Sequence, residues 1–139
     1  MTDNISLHPA TDAPTVLIVD DNCLSRKMLR DMLQVFGYRT ILCDSGGGGL
    51  AMIRAHRPDV IVMDLNLPGI AGLEVTRWVR QDARLRSTPI IAITAYAREE
   101  SERKALQAGC DAYLPKPLAL DKLIRTVESF VTRNVPAVA

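Results

Sequence analysis

The sequence predicts an α/β fold, a doubly wound parallel sheet with helices on both faces. Five short apolar runs alternate with five longer segments that carry helix-forming or helically spaced residues. Most of the runs are continuously apolar, which is typical of strands buried on both faces of a parallel sheet. The chain has 139 residues, a length that suits one domain.

Each predicted strand is bounded by residues that break regular structure. Pro14, Pro58 and Pro89 come before the first, third and fourth strands, and aspartates follow the first and third. Apolar and β-branched residues fill the strands, as in TVLIV, VIVM and IIAIT, and the fifth strand is the shortest. In chain order, the predicted strands are residues 15–19, 39–43, 60–63, 90–94 and 112–114.

The predicted helices lie between these strands. Gly37 and Gly109 follow the first and fourth helices and act as stop signals. In chain order, the predicted helices are residues 25–36, 50–56 (part of the second helix), 72–82, 98–108 and 120–131. Near the first helix, the apolar residues at helical spacing are Leu24, Met28, Met32 and Val35. The last helix has a stripe that must face a core: Leu120, Leu123, Ile124, Val127 and Val131.

A run of four glycines, residues 46–49, precedes the second helix. It lacks the pattern G-x-G-x-x-G and the Lys-Ser/Thr pair of phosphate-binding loops. Each glycine inside a helix costs up to about 1 kcal/mol relative to alanine. We therefore expect a flexible, poorly formed start to the second helix.

Composition excludes several classes of protein. The net charge of +1 argues against a protein that coats nucleic acid, and no apolar run approaches a membrane span or the core of a signal peptide. Cys23, Cys43 and Cys110 are far apart and odd in number, which argues against a disulfide framework or a zinc site. We expect a cytoplasmic protein with a flexible tail at residues 1–14, a domain at 15–133 and a short tail at 134–139.

Polar residues follow four of the five predicted strands. Asp20 and Asp21 come after the first strand, Asp64 after the third, Thr94 ends the fourth, and Lys116 lies just beyond the fifth. Right-handed crossovers bring the carboxyl ends of parallel strands to one rim, where open sheets bind ligands. These five side chains should therefore converge.

The predicted cluster has the composition of a phosphoryl-transfer site. Three close carboxylates repel one another unless a cation lies among them, and oxygen ligands suit Mg²⁺ or Mn²⁺. Lys116 supplies a positive charge and Thr94 a hydroxyl donor for phosphate oxygens. A carboxylate beside such a cation is a plausible nucleophile that would form an aspartyl phosphate.

These motifs together resemble the receiver domain of two-component response regulators. They are the acidic pair Asp20-Asp21, VIVMDLNLPGIAGLEV, IIAITAYA and YLPKP. The resemblance covers roughly residues 15–131 and implies a five-stranded sheet in the order 2-1-3-4-5. Within the family, the chain is most similar to stand-alone receivers of the chemotaxis and cell-cycle kind.

The resemblance implies a role for each matching residue. Asp64 would be the phosphoacceptor, Lys116 and Thr94 would contact the phosphoryl group, and Tyr113 would be the aromatic that changes rotamer with Thr94. The implied Mg²⁺ ligands are Asp20, Asp21, Asp64 and the backbone carbonyl of Asn66. The implied residues that flank the phosphoryl group and govern its hydrolysis are Asn66 and Tyr96. The bond between Lys116 and Pro117 would be cis.

The implied function is signalling by phosphorylation, without turnover of an external substrate. A histidine kinase or histidine phosphotransfer protein would donate the phosphoryl group, and a target protein would bind the fourth helix, fifth strand and fifth helix. We expect no nucleic acid or membrane partner.

Three alternatives stay open at this point. The chain could be a receiver domain from a larger hybrid kinase or regulator. It could be an aspartyl-phosphate phosphatase, although that class has D-x-D at the nucleophile and here Asn66 occupies the second position. It could also be a degenerate receiver that binds partners without phosphorylation, which the intact set of polar residues argues against.

Overall fold

Five parallel strands form one sheet in the order β2-β1-β3-β4-β5, which confirms the predicted fold class. The computed structural model describes residues 13–67, 69–95 and 98–134, so most of both predicted tails lies outside the described residues. The strands are β1 (Thr15–Val19), β2 (Arg39–Cys43), β3 (Val60–Asp64), β4 (Ile90–Thr94) and β5 (Ala112–Pro115). The helices are α1 (Cys23–Val35), α2 (Gly46–His56), α3 (Gly72–Gln81), α4 (Glu99–Ala108) and α5 (Leu120–Asn134).

The sheet separates two hydrophobic cores, because successive residues of a strand point to opposite faces. Val16 and Ile18 of β1 face one core, into which α1 and α5 pack. Leu17 and Val19 face the other core, which α2, α3 and α4 cover. The central strands β3 and β4 are buried along their whole length. The sheet is thus a rigid support for whatever lies at its carboxyl edge.

Two strands extend one residue further than the sequence predicts, and both extensions occur at that edge. Asp64 pairs in register with Ile93 and is the last residue of β3. Pro115 pairs with Thr94 and is the last residue of β5. Asp64 therefore belongs to the sheet itself, so its backbone is held by strand pairing.

The ends of the helices differ from the predicted ends where local capping decides them. α1 begins at Cys23, two residues early, because the side chain of Asn22 accepts a hydrogen bond from the backbone of Ser25. α5 continues to Asn134, past the predicted end of the helix and one residue past the predicted end of the domain. Within the part of the chain that the structure describes, no helix is both long and apolar enough to cross a bilayer.

The prediction of a poorly formed start to the second helix is wrong. α2 begins at Gly46, and its N-cap is Ser45, whose hydroxyl accepts a hydrogen bond from the backbone of Gly48 at 3.1 Å. Gly46 and Gly49 are buried. The conformational cost of glycine is thus offset by a cap and by close packing, which single-residue helix propensity does not include.

The face that α1 buries is not the face where the sequence shows apolar residues at helical spacing. Leu24, Met28 and Val35 are exposed. Leu29 and Leu33 face the sheet instead. An apolar stripe on α1 therefore stays on the surface.

Candidate functional site

The carboxyl edge of the sheet brings together the polar residues that follow its central strands. Asp20 lies just after β1, Asp64 ends β3 and Thr94 ends β4, with 0%, 3% and 2% of their surfaces exposed. Asp21 is exposed at the mouth of the cleft. Buried polar groups must find partners, so the contacts of these side chains reveal what the cleft is built to hold.

Lys116, just beyond β5, reaches across the edge to both buried carboxylates. Its Nζ lies 3.1 Å from Oδ2 of Asp64 and 3.3 Å from Oδ2 of Asp20. The lysine therefore bridges strands β1 and β3 from the end of β5. The bond between Lys116 and Pro117 is cis, as the resemblance implies.

Asp20 is held by the first turn of α1. The hydroxyl of Ser25 donates a 2.7 Å hydrogen bond to Oδ2 of Asp20, and the backbone N–H of Asn22 donates to Oδ1 at 2.9 Å. Arg26 donates from Nη1 to the backbone carbonyl of Asp20 at 2.8 Å. Ser25 and Arg26 are not among the site residues predicted from the sequence. The signal available in the sequence was a hydroxyl and a guanidinium side chain in the first turn of the helix that follows the acidic pair.

Asn66 links the end of β3 to the end of β4. Its backbone N–H donates to Oδ1 of Asp64 at 2.9 Å, and its side-chain amide donates to the hydroxyl of Thr94 at 3.0 Å. Asn66 therefore connects the Asp64 carboxylate to the hydroxyl of Thr94 through two hydrogen bonds.

The charges of the cleft shift the pKa values of two groups. Burial raises the pKa of Asp64 above 3.8; hydrogen bonds from Asn66 and Lys116 and the charge of Lys116 oppose this rise, and the charge of Asp20 adds to it. Burial alone would lower the pKa of Lys116, but its hydrogen bond and charge interactions with Asp64 and Asp20 raise it above 10.5. Lys116 thus stays protonated, while the ionised form of Asp64 is disfavoured.

The acidic residues could hold a divalent cation. Asp20, Asp21 and Asp64 each offer a carboxylate oxygen, and these atoms lie within 4.8 Å of one another. Hard oxygen donors of this kind match Mg²⁺ or Mn²⁺. A cation there would favour the ionised form of Asp64, which burial and the charge of Asp20 disfavour. The donor set therefore fits the expected ion.

Two further residues were predicted at this site, Tyr96 and Tyr113. Tyr96 falls outside the described residues. Tyr113 is partly buried and packs against the core beneath α2, α3 and α4.

A doubly wound domain with an acidic cleft and a bridging lysine at its strand ends defines a class of signalling domain. The family described as the response regulator receiver domain matches residues 16–128. The chain therefore belongs to the response regulator receiver family.

Known relatives agree with this assignment. DivK, a polar-differentiation response regulator of Brucella anthropi, is 44% identical over 117 residues, covering 84% of this chain and 95% of DivK. The structure of a putative response regulator from Chloroflexus aurantiacus is similar with a TM-score of 0.84 and 32% identity, over 88% of this chain and 100% of that one.

A third relative was solved with an ion in the cleft. It is the receiver domain of a sensor histidine kinase from Pseudomonas aeruginosa, with magnesium coordinated in the active site cleft. Its TM-score is 0.81 and its identity 33%, over 86% of this chain and 98% of that chain.

Proposed function

We propose that this receiver accepts a phosphoryl group on Asp64 from a phosphohistidine and signals through altered protein contacts. The observation that carries the proposal is the position of Asp64. It ends a central strand, with the acidic pair on one side and the Thr94 strand on the other, and Lys116 contacts its carboxylate at 3.1 Å. A phosphoryl group on Asp64 would lie within reach of all these groups.

In the proposed step, a carboxylate oxygen of Asp64 attacks phosphorus while the bond to the histidine nitrogen breaks. The imidazole leaves with that electron pair. Lys116 and Thr94 would contact the phosphoryl oxygens. The carboxylates of Asp20, Asp21 and Asp64 and the backbone carbonyl of Asn66 would hold Mg²⁺ or Mn²⁺. When bound, the ion neutralises charge that builds up on the transferred group.

The donor protein would approach beside α1. A groove of about 310 Å³ lies between α1 and the β5–α5 connection, and Leu24, Met28, Lys116 and Pro117 are among its lining residues. The donor histidine must reach Asp64, so its protein must cover a surface next to the cleft. This groove is apolar and adjoins Lys116, and we assign it to a histidine kinase or histidine phosphotransfer protein.

The output surface would be α4, β5 and α5. A phosphoryl group on Asp64 competes for the hydroxyl of Thr94, which now accepts a hydrogen bond from Asn66. Movement of Thr94 changes the connection to α4, and Tyr113 on β5 follows by changing rotamer. A target protein then binds the altered face.

The phosphoryl group would be lost by hydrolysis rather than passed to a small-molecule substrate. The residues proposed to flank the attacking water are Asn66 and Tyr96. The protein would thus promote its own phosphorylation and dephosphorylation at Asp64 without being a conventional enzyme. The three cysteines are free, which fits the reducing cytoplasm where we propose that this chemistry takes place.

Phosphorylation can be tested with acetyl phosphate and intact-mass measurement, with Mg²⁺ or with chelator. We expect one phosphoryl group on the wild type only with the ion, and none on Asp64→Asn. Asp44→Asn is the matched control, because Asp44 follows the edge strand β2 and is exposed. Label that persists in Asp64→Asn, or that ignores the chelator, would refute the assignment.

A further inference from the structure

The tetraglycine turn, residues 46–49, forms the first turn of α2 and packs beside the segments that carry the proposed metal ligands. A side-chain carbon at Gly46 would overlap the backbone oxygen of Ile70 and lie 3.2 Å from its carbonyl carbon. Ile70 belongs to the connection between β3 and α3, of which the structure describes residues 65–67 and 69–71. Gly46 can therefore approach the backbone of Ile70 this closely only because it has no side chain.

The residue that follows this connection, Gly72 at the start of α3, lies against the backbone of Asp64. At Gly72, two residues after Ile70, a side-chain carbon would lie 2.6 Å from the carbonyl oxygen of Asp64. Asn66, which donates to the Asp64 carboxylate and is proposed to supply a metal ligand, is in the connection as well. A displacement of Ile70 would therefore act on a segment whose two ends, at Asn66 and Gly72, both contact Asp64.

The turn also contacts the other ligand-bearing segment. A side-chain carbon at Gly49 would lie 3.2 and 3.3 Å from the two methyl groups of Val19, which directly precedes Asp20. The first turn of α2 is therefore in contact with the end of β1 and with the β3–α3 connection. It has little space to shift without pressing on one of them.

We infer that Gly46 is a positioning residue for the acidic cleft, which keeps the β3–α3 connection close enough for Asn66 to meet the ion. Mg²⁺ demands near-octahedral oxygen ligands at about 2.0–2.1 Å, so it tolerates small displacements of its ligands poorly. This inference rests on the proposed metal site. It explains why glycine stands at a helical position where it costs stability.

Gly47 provides a matched control on the same turn. It is exposed, and a side-chain carbon there would meet only the terminal methyl of Ile70, at an ordinary 3.5 Å. Alanine favours the helix at either position. The two Gly→Ala variants therefore differ in the contact with the connection and not in intrinsic helix propensity.

The test is calorimetric titration of Mg²⁺ into wild type, Gly46→Ala and Gly47→Ala, together with their thermal unfolding. We expect Gly47→Ala to keep the wild-type Kd and to melt higher. Gly46→Ala should bind Mg²⁺ about tenfold more weakly, which corresponds to about 1.4 kcal/mol. If Gly46→Ala folds poorly, the double variant Gly46→Ala/Gly47→Ala, in which the second alanine adds helix propensity, is compared with Gly47→Ala.

The outcomes separate this inference from the proposed function. A wild type that binds no Mg²⁺ would refute the proposed metal site. A wild type that binds Mg²⁺ with the same Kd as the folded Gly46→Ala variant would refute the positioning role alone. A weaker Kd in Gly46→Ala, with Gly47→Ala unchanged, would support it, because a purely structural effect would move the melting temperature and not the affinity.

Discussion

Two helices, α1 and α4, each follow a strand that ends at the acidic cleft, yet they are held very differently. α1 is capped by Asn22 and is joined to Asp20 through Ser25 and Arg26. In α4, the N-cap residue Arg98 makes no side-chain capping hydrogen bond. Residues 96 and 97, which precede it, lie outside the described residues.

The side chains that α1 buries are also larger than those that α4 buries. α1 buries Leu29 and Leu33, whereas α4 buries only Ala105 and Ala108. α4 is fastened mainly at its far end, where Nε of Arg80 donates to the carbonyl of Gly109 at 2.8 Å. The α1 side of the cleft is thus held more firmly than the α4 side, as the proposed metal site and the proposed change at Thr94 require.

Truncating one leucine on each helix should give the largest contrast. Leu29 is 2% exposed and Leu106 is 48% exposed. Leu29→Ala should lower the free energy of unfolding by about 2–5 kcal/mol, since it leaves a cavity in the core. Leu106→Ala should change it by no more than about 0.5 kcal/mol. Urea unfolding measures both; equal losses would show that α4 is anchored as firmly as α1.

A smaller contrast is expected for the serines at the third position of each helix. Ser25→Ala removes the hydroxyl that bonds to Asp20 at 2.7 Å, so it should cost about 1.5 kcal/mol of unfolding free energy. Ser101→Ala on α4 is the matched control and should be nearly neutral. If both serines matter equally, the bond to Asp20 is not what fastens α1.

The smallest expected effect is a pH dependence of the free energy of unfolding, caused by Asp64 in the acidic cleft. Because the folded-state pKa of Asp64 lies above 3.8, the folded protein binds this proton more tightly than the unfolded chain does. Stability is therefore lost as the pH rises from 3.8 through the raised pKa. In metal-free buffer, Asp64→Asn should be more stable than the wild type at neutral pH, with a flatter profile across that range.

Chemical unfolding at a series of pH values with chelator checks this. Asp121→Asn is the control, because Asp121 lies on the surface of α5 in an exposed pair with Arg125. Parallel profiles for wild type and Asp64→Asn would contradict the prediction. Added Mg²⁺ should stabilise the wild type at neutral pH more than it stabilises the Asp64→Asn variant.

Much of the fold and the cleft could be predicted because the relevant signals are local. Apolar runs bounded by proline and aspartate locate all five strands to within one residue. The polar residues at their ends meet because parallel strands share a carboxyl edge. The sequence alone therefore predicts that Asp20, Asp64, Thr94 and Lys116 lie together.

Other features depend on which surfaces pack together, and local patterns do not contain that information. Ser25 and Arg26 matter because α1 starts at Cys23, which turns its first turn toward Asp20. The exposed Leu24 and the buried Leu29 both fit a helical spacing, and only packing against the sheet distinguishes them.

The glycine run shows this division most clearly. Single-residue propensity, which is a property of the local chain, predicts a disrupted helix at residues 46–49. Contacts with Ile70 and Val19, which are distant in the sequence, instead favour a closely packed first turn without side chains. Strand positions and the polar residues at strand ends follow from local chemistry, whereas helix orientation and the spacing of the cleft depend on long-range packing, because steric contact between distant segments overrides weak local preferences.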